Sequence, residues 1–244
     1  MSASYSYSYS YPLPAVAVDM VILTISPRNE LCYLLVRRGE APFKDAWALP
    51  GGFVDVGDGY RPDRPQGEDL RAAAARELEE ETGLDLERHQ VFLEQLYTFG
   101  DAGRDPRGRV ITVAYYALVS VDFAPFIRAG DDARDVRWHP VLEEAAAPVR
   151  LAFDHPAIIR AALERIRGKV DYDPRLVQAL LPDEFTQSEF RRVHEVIKGA
   201  CYDKSNFAKR FRRMLEDGRF EATDAKRSLR GAGRPPKLYR FTET

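Results

Sequence analysis

The sequence predicts an α/β sandwich followed by a small basic module of two helices and a hairpin, and three observations carry that expectation. Apolar, β-branched runs interleave with one strong helix through about residue 150, an order of hairpins and a single helix that argues against a doubly wound sheet. Charge is divided unevenly: residues 186–244 hold 15 Lys and Arg against 8 Asp and Glu, whereas residues 1–185 hold 21 against 30, so a net charge of −2 conceals an acidic body and a basic end. A basic end of that kind usually meets phosphate, though chance partition of surface charge gives the same arithmetic. Finally, a helix start signal at Thr186 opens two helical patterns in series. With 45% hydrophobic and 30% charged residues over 244 positions, wholesale disorder is excluded. The longest apolar stretch, near Ile111 to Val121, is far short of the ~20 residues of a membrane span. Two cysteines, Cys32 and Cys201, are too few for a disulfide framework, and the chain start lacks a secretory pattern, so a cytoplasmic setting is expected.

Taken in order, residues 1–11 alternate Ser and Tyr and read as a disordered tail. Ala15 to Ser26 and Leu31 to Val36 read as a hairpin around Pro27-Arg28-Asn29-Glu30. Glu68 to Thr82, rich in Ala, Leu, Glu and Arg, reads as a helix closed by Gly83. Further strands are expected at Val91 to Phe99, Arg109 to Phe123 and Val136 to His139. Residues 155–169 form an amphipathic helix with Ile158, Ile159, Ala162, Leu163 and Ile166 on one face. Asp173-Pro174 and Leu181-Pro182 then punctuate the chain. The expected organisation is a body over 12–150, a helical linker over 151–183 and a terminal module over 184–244.

Within the first helix, Arg76-Glu77-Leu78-Glu79-Glu80-Glu81-Thr82-Gly83-Leu84 sets Glu77, Glu80 and Glu81 at i, i+3 and i+4, on one face. Three crowded carboxylates repel unless a cation sits among them, and such hard oxygen ligands select Mg²⁺ or Mn²⁺. Arg76 supplies a fixed positive charge to hold one glutamate in place. A solvated acidic face is the plainer alternative. Upstream, the Gly51-Gly52 pair after a strand lets backbone approach a phosphate or metal closely. Arg37, Arg38 and Arg109, at strand ends, could neutralise a diphosphate or serve as surface ion pairs. Tyr97 and Phe99 could stack on a base or simply pack.

These residues resemble the Nudix signature, G-x5-E-x7-R-E-U-x-E-E-x-G-U with U aliphatic. Glu68, seven residues, and then Arg76 to Leu84 match every fixed position of its second part. Fifteen residues rather than five separate Gly52 from Glu68, Asp58 standing where the first glutamate would fall. The extra ten, Gly59 to Glu68, read as an inserted surface loop. The resemblance implies a Mg²⁺-dependent site for a nucleoside diphosphate linked to a further group, with Glu77, Glu80 and Glu81 as metal ligands and, together with Arg76, as catalytic residues. It also implies a loop carboxylate as general base, for which Asp131 and Asp132 are candidates.

In the terminal module, Thr186-Gln187-Ser188-Glu189 is a capping box ahead of a helix burying Phe190, Val193, Val196 and Ile197. Lys204 to Leu215 gives a second helix with Phe207, Phe211, Met214 and Leu215 inward and Lys204, Asn206, Lys209, Arg210 and Arg213 outward. Helix, tight connection and basic helix make a helix-turn-helix, whose second helix enters the major groove. Asn and Arg read adenine and guanine edges there. Phe220 to Thr223 and Lys237 to Phe241 flank a Gly/Arg-rich loop, a wing that would place Arg230, Arg234 and Lys237 along DNA.

The combination resembles the Nudix-related regulators of NAD metabolism of the NrtR type over residues 12–241. Trp47 to Val54, Gln95 to Gly100 with Arg104 to Arg109, and Gly233 to Phe241 carry the resemblance. It implies a homodimeric repressor of NAD biosynthesis or salvage genes, bound to a palindromic duplex operator and released by ADP-ribose or a related NAD metabolite. A Mg²⁺-dependent ADP-ribose pyrophosphatase is the principal alternative, and a nucleic-acid-processing Nudix enzyme a weaker one.

Overall fold

The computed structural model describes residues 9–57, 66–120, 122–123, 133–142, 149–224 and 235–242. Strand β1, Ala15–Ile25, alternates its side chains between two cores, as period-two geometry requires. Val21, Leu23 and Ile25 enter one, whereas Val18, Met20 and Ile22 enter the other. β1 turns through Ser26–Glu30, with Asn29 at φ 62, into β2, Leu31–Arg38. Next come two short strands, β3 (Trp47–Ala48) and β4 (Gly51–Phe53), helix α1 (Leu70–Thr82), and strands β5 (Phe92–Phe99), β6 (Val110–Leu118) and β7 (Ala133–Pro140). The sheet runs β3-β2-β1-β6-β5, with β4 added to β1 and β7 to β2. Only β1 and β6 are parallel among these pairs, with Ala15 opposite Val110 and Leu23 opposite Leu118.

Helix α1 covers the Val18/Met20/Ile22 face with Ala73, Ala74 and Leu78, and ends at Gly83 in the left-handed conformation, φ 73, its N–H closing on the Glu79 carbonyl. Helix α2, His155–Lys169, covers the opposite face with Ile158, Ile159, Ala162, Leu163 and Ile166, the residues expected from the periodicity. The sandwich therefore has one helix on each side of the sheet.

The chain then forms α3, Pro174–Leu180, where the sequence reading had expected only punctuation. Pro174 sits in the first turn, where its missing N–H costs nothing, and the Asp173 carboxylate accepts from the Arg175 N–H, so the dipeptide starts a helix rather than a loop. Strand β8 (Phe185–Thr186), α4 (Gln187–Lys198), α5 (Lys204–Glu216), β9 (Phe220–Ala222) and β10 (Leu238–Phe241) complete the chain, the small sheet running β8-β10-β9. The capping box is present in both directions: the Glu189 N–H donates to Thr186 Oγ1 at 3.1 Å, and the Thr186 N–H donates to Glu189 Oε2 at 2.7 Å.

Residues 151–183, expected as a linker, form a packed layer. Ile159 and Ile166 of α2, Leu176 and Leu180 of α3, and Phe185, Phe190, Phe207 and Phe220 of the terminal module belong to one continuous apolar cluster that also holds Leu23 and Tyr116 of the sheet. Burial of so many large side chains across the junction ties the two modules into one core.

Candidate functional site: a glycine-floored cleft and a basic helix

The loop between β3 and β4 brings backbone directly against the carboxylate helix. A Cβ on Gly52 would stand 2.2 Å from Glu77 Oε1, and one on Gly51, at φ 151, would stand 2.2 Å from the Val18 carbonyl oxygen. Gly51 therefore demands glycine, whereas a side chain at Gly52 would displace the Glu77 carboxylate. The Gly51 N–H donates to Glu81 Oε2 at 2.9 Å. Burial pushes the Glu81 carboxyl up to about 8, and the negative charges of Glu77 and Asp19 push the same way.

Arg76 organises the remaining carboxylates. Its guanidinium donates to Glu68 at 2.7 and 3.1 Å, to Glu77 at 2.7 Å, to Glu80 at 2.9 Å and to the Phe53 carbonyl at 3.1 Å. Glu68 also accepts from the Asp55 N–H at 2.8 Å, so despite the insertion it is tied both to Arg76 and to the segment after β4. Its carboxyl is held below the usual range chiefly by Arg76, whereas burial raises that of Glu77. The convergence expected of Glu77, Glu80 and Glu81 is thus divided: two carboxylates share Arg76, and Glu81 turns to Gly51. Among the described residues, no three acidic, His or Cys side chains are gathered as a ready-made metal cluster. Asp58, Asp131 and Asp132 lie outside the described residues.

Beside the glycines opens a cleft of about 490 Å³ whose walls include Asp19, Arg38, Phe53, Arg104, Arg107, Phe153 and His155. A second cleft of about 590 Å³, lined by Arg37, Arg38, Glu40, Gly51 and Glu81, shares Arg38, Leu49 and Gly51 with it. Arg38 lies over the Phe153 ring at 5.0 Å, and Arg107 lies over Phe53 at 4.9 Å and Phe153 at 5.6 Å. Planar cations stacked on aromatic faces make walls suited to a flat, anionic guest.

The floor of this cleft is a buried ion network. Arg104, its side chain 4% exposed, donates to both oxygens of Asp154, at 2.7 and 2.9 Å, and to Asp19 at 3.1 Å. His155 Nδ1 accepts from the Leu49 N–H at 2.8 Å, which leaves Nε2 facing Asp19 Oδ1 at 3.5 Å. Burial works against the Asp19 charge, but His155 and Arg104 outweigh it and hold the carboxyl below its ordinary value.

Of the residues expected to bind a ligand, Arg38, Gly51 and Gly52 line this cleft, and Arg37 lines its neighbour. Tyr97 and Arg109 are not brought there. Tyr97, 65% exposed, lies edge-to-face with Phe99 in a separate groove against Ala161 and Tyr172, and Arg109 donates to the Gly100 carbonyl. Missed altogether were Asp19, Arg104, Arg107, Phe153, Asp154 and His155. Asp19 left a signal, a lone acid inside the otherwise apolar run Ala15 to Ile25.

In the terminal module, Lys204, Asn206, Lys209 and Arg213 are exposed along α5, as expected, while Phe207 and Phe211 are buried. Arg210 departs from expectation. It turns back to Asp171, its Nη1 donating to the carboxylate at 3.0 Å and its Nη2 to the backbone carbonyl at 2.6 Å. Helical phase put Arg210 on the outer face, but Asp171 at the end of α2 offered a closer partner than solvent. Lys237 is exposed and lies over the Tyr239 ring at 5.9 Å. Arg230 and Arg234 lie outside the described residues.

Comparison with known proteins matches residues 13–162 to the NUDIX domain and residues 177–241 to the NrtR DNA-binding winged helix domain. The ADPR responsive transcriptional repressor NtrR of Acinetobacter baylyi is 38% identical over 92% of this chain and 80% of its own length. Shewanella oneidensis NrtR complexed with a 27mer DNA superposes with a TM-score of 0.73 at 32% identity, covering 93% of each chain. The NUDIX domain of the same Shewanella protein complexed with ADP ribose superposes with a TM-score of 0.53 at 33% identity, over 64% of this chain and 91% of that one. A sheet sandwiched between α1 and α2, the Arg-Glu-Leu-Glu-Glu-Glu part of the carboxylate signature on α1 and a capped helix pair with a small three-stranded sheet are thus joined in one polypeptide, and the chain belongs to the Nudix family, in its NrtR-type branch with a C-terminal winged helix.

Proposed function

We propose that this protein is an ADP-ribose-responsive transcriptional repressor that binds a palindromic operator of NAD biosynthesis or salvage genes as a homodimer in the cytoplasm. The observation that carries the reading is the union in one core of an arginine-and-aromatic cleft over paired glycines and a winged helix whose α5 exposes Lys204, Asn206, Lys209 and Arg213. Similarity to the Acinetobacter repressor and to the Shewanella complexes with DNA and with ADP ribose supports the same effector and duplex partner. The expected units are a Nudix body over 12–150, the helical layer over 151–183 and the winged helix over 184–244. Among the described residues, no helix is long and apolar enough to cross a membrane.

In this reading, Arg38, Arg104 and Arg107 supply positive charge to the diphosphate, and Phe53 and Phe153 supply apolar faces. Lys204, Lys209 and Arg213 meet backbone phosphates, and Asn206 reaches a base edge. Two copies related by a two-fold axis present two α5 helices to successive major grooves, which is the reason for a palindrome. The metabolite acts only through a difference in its affinity for the DNA-competent and DNA-incompetent arrangements.

Members of the Nudix family generally use divalent metals. The donor chemistry of Glu77, Glu80 and Glu81 fits Mg²⁺ or Mn²⁺, and the raised Glu81 carboxyl marks a place where a cation would relieve repulsion. When bound, such an ion would polarise phosphoryl oxygens. The intact Glu68–Arg76–Glu77–Glu80 network favours a second reading, a metal-dependent ADP-ribose pyrophosphatase, which is compatible with the first.

Anisotropy titration of the duplex upstream of the operon, with and without ADP-ribose, tests the proposal. Operator affinity is expected to fall steeply between 50 and 200 mM salt, as phosphate contacts release counterions (on the order of 10³-fold for six or more contacts). The Lys209→Ala/Arg213→Ala pair should weaken binding about tenfold or more. A salt-insensitive chain with no preference for its own promoter, or one turning over ADP-ribose without binding duplex, would overturn the repressor reading.

A further inference from the structure

Helix α2 reaches both functional regions with its two ends. Its fifteen residues span roughly 22 Å at ~1.5 Å per residue. At its start, Asp154 and His155 form the floor of the cleft through Arg104, Asp19 and the Leu49 N–H. Along its length, Arg165 donates to the Leu96 carbonyl at 2.9 Å, and Lys169 pairs with Glu94 at 2.6 Å, fixing it to β5.

Just past its other end, Asp171 receives three side chains, one from each part of the helix-turn-helix. Lys198, at the end of α4, reaches Oδ2 at 2.6 Å; Tyr202, in the turn, donates its hydroxyl to Oδ1 at 2.8 Å; and Arg210, on α5, donates to Oδ1 and to the main-chain carbonyl. Arg167 adds a bond to the Ile197 carbonyl at 3.3 Å. A lone surface ion pair is worth little, but a carboxylate gathering three donors in one geometry fixes relative orientation.

We infer that Asp171 is a positioning residue that latches the DNA-reading helix pair to α2, so that events at the metabolite cleft at one end of α2 are passed to the winged helix through this carboxylate. Arg210 is then part of the latch, and its release would add a cation to the DNA face. The inference deepens the repressor reading and rests on it for its direction. Its physical basis is a continuous chain of packed and hydrogen-bonded groups from Asp19 to Arg210, which is the kind of path that carries coupling between distant sites.

The test uses full-length wild type, Asp171→Asn and the milder Tyr202→Phe, measuring operator affinity and ADP-ribose affinity, and amide hydrogen exchange over residues 198–210 with and without ADP-ribose. Asp171→Asn is expected to bind ADP-ribose as wild type does and to bind operator at least as tightly. The factor by which ADP-ribose weakens operator binding should collapse toward one, with Tyr202→Phe intermediate. The ADP-ribose-induced change in exchange over 198–210 should be present in wild type and absent in Asp171→Asn.

An unchanged effector response in Asp171→Asn overturns the latch, as does loss of operator binding with ADP-ribose affinity retained, since Asp171 would then merely support the DNA-reading fold. Should Asp171→Asn fail to fold, the Tyr202→Phe response decides in the same two directions. If wild type binds no operator at all, the repressor reading fails. The exchange measurement still judges the latch, which is overturned if ADP-ribose leaves residues 198–210 unchanged.

Discussion

The glycine-floored cleft and the winged helix are built on opposite principles. At the cleft, like and unlike charges crowd together: Asp19, Arg104 and His155 are buried under it with half-buried Asp154 tied to Arg104, and Glu68, Glu77 and the exposed Glu80 share one guanidinium. Glycine is compulsory at Gly51, any side chain at Gly52 would run into the Glu77 carboxylate, and a carboxyl at Glu81 is pushed far from its ordinary range. The winged helix instead rests on stacked and edge-to-face rings, Phe185, Phe190, Phe207, Phe211, Phe220, Tyr239 and Phe241, closed by a capping box and an Asp203 cap. One region defies the usual preferences of folding, and the other satisfies nearly all of them. Such local conflict is tolerated where a ligand or ion is to be received, because the guest supplies the missing partner. The cations and Asn206 along α5, by contrast, cost the fold nothing to expose.

The largest expected effect breaks the cleft. Arg104→Ala leaves Asp19 and Asp154 buried without their cation and should destabilise the protein by about 3–5 kcal/mol in urea unfolding. Loss of less than 1 kcal/mol would show that the floor is solvated and not a buried network.

A smaller effect sharpens the contrast from the winged-helix side. Its one buried titratable exception among the described residues is His194, 1% exposed, whose ring is pushed down to about 4 by burial against the pull of the Phe190 carbonyl. Between pH 6.5 and about 4 the unfolded chain takes up a proton that native His194 refuses. Its stability contribution is therefore complete above pH 6.5 and declines as pH falls, by about 3 kcal/mol over the window. Denaturant titrations at pH 7 and pH 5 on wild type and His194→Gln check this, the variant losing the slope.

Thr186→Ala should have the least effect. It removes the side-chain half of the capping box and should cost about 1 kcal/mol, with operator affinity at saturating stability unchanged. A cost above 2 kcal/mol would mean that the cap also anchors β8 in its small sheet.

Most of the winged helix was legible in the sequence, because its elements are specified by neighbours along the chain: a four-residue cap, a 3.6-residue apolar period, alternating strands. The carboxylate helix was legible for the same reason, its glutamates lying within two turns. Glu68 was obscured by the inserted loop, and only its bonds to Arg76 and Asp55 restored its place. α3 was hidden because Asp173-Pro174 signals both a stop and a start.

By itself, the sequence determined most of the longer strands and helices, the family and the acidic and basic halves, since each depends on short-range pattern and composition; α3 and the two-residue strand β8 were not among them. Tertiary structure alone decided that Asp19, Arg104 and His155, drawn from three distant segments, share one floor, that Tyr97 and Arg109 lie away from it, and that Arg210 turns to Asp171. Contacts between residues tens of positions apart follow from sheet order and helix packing, which no local pattern encodes.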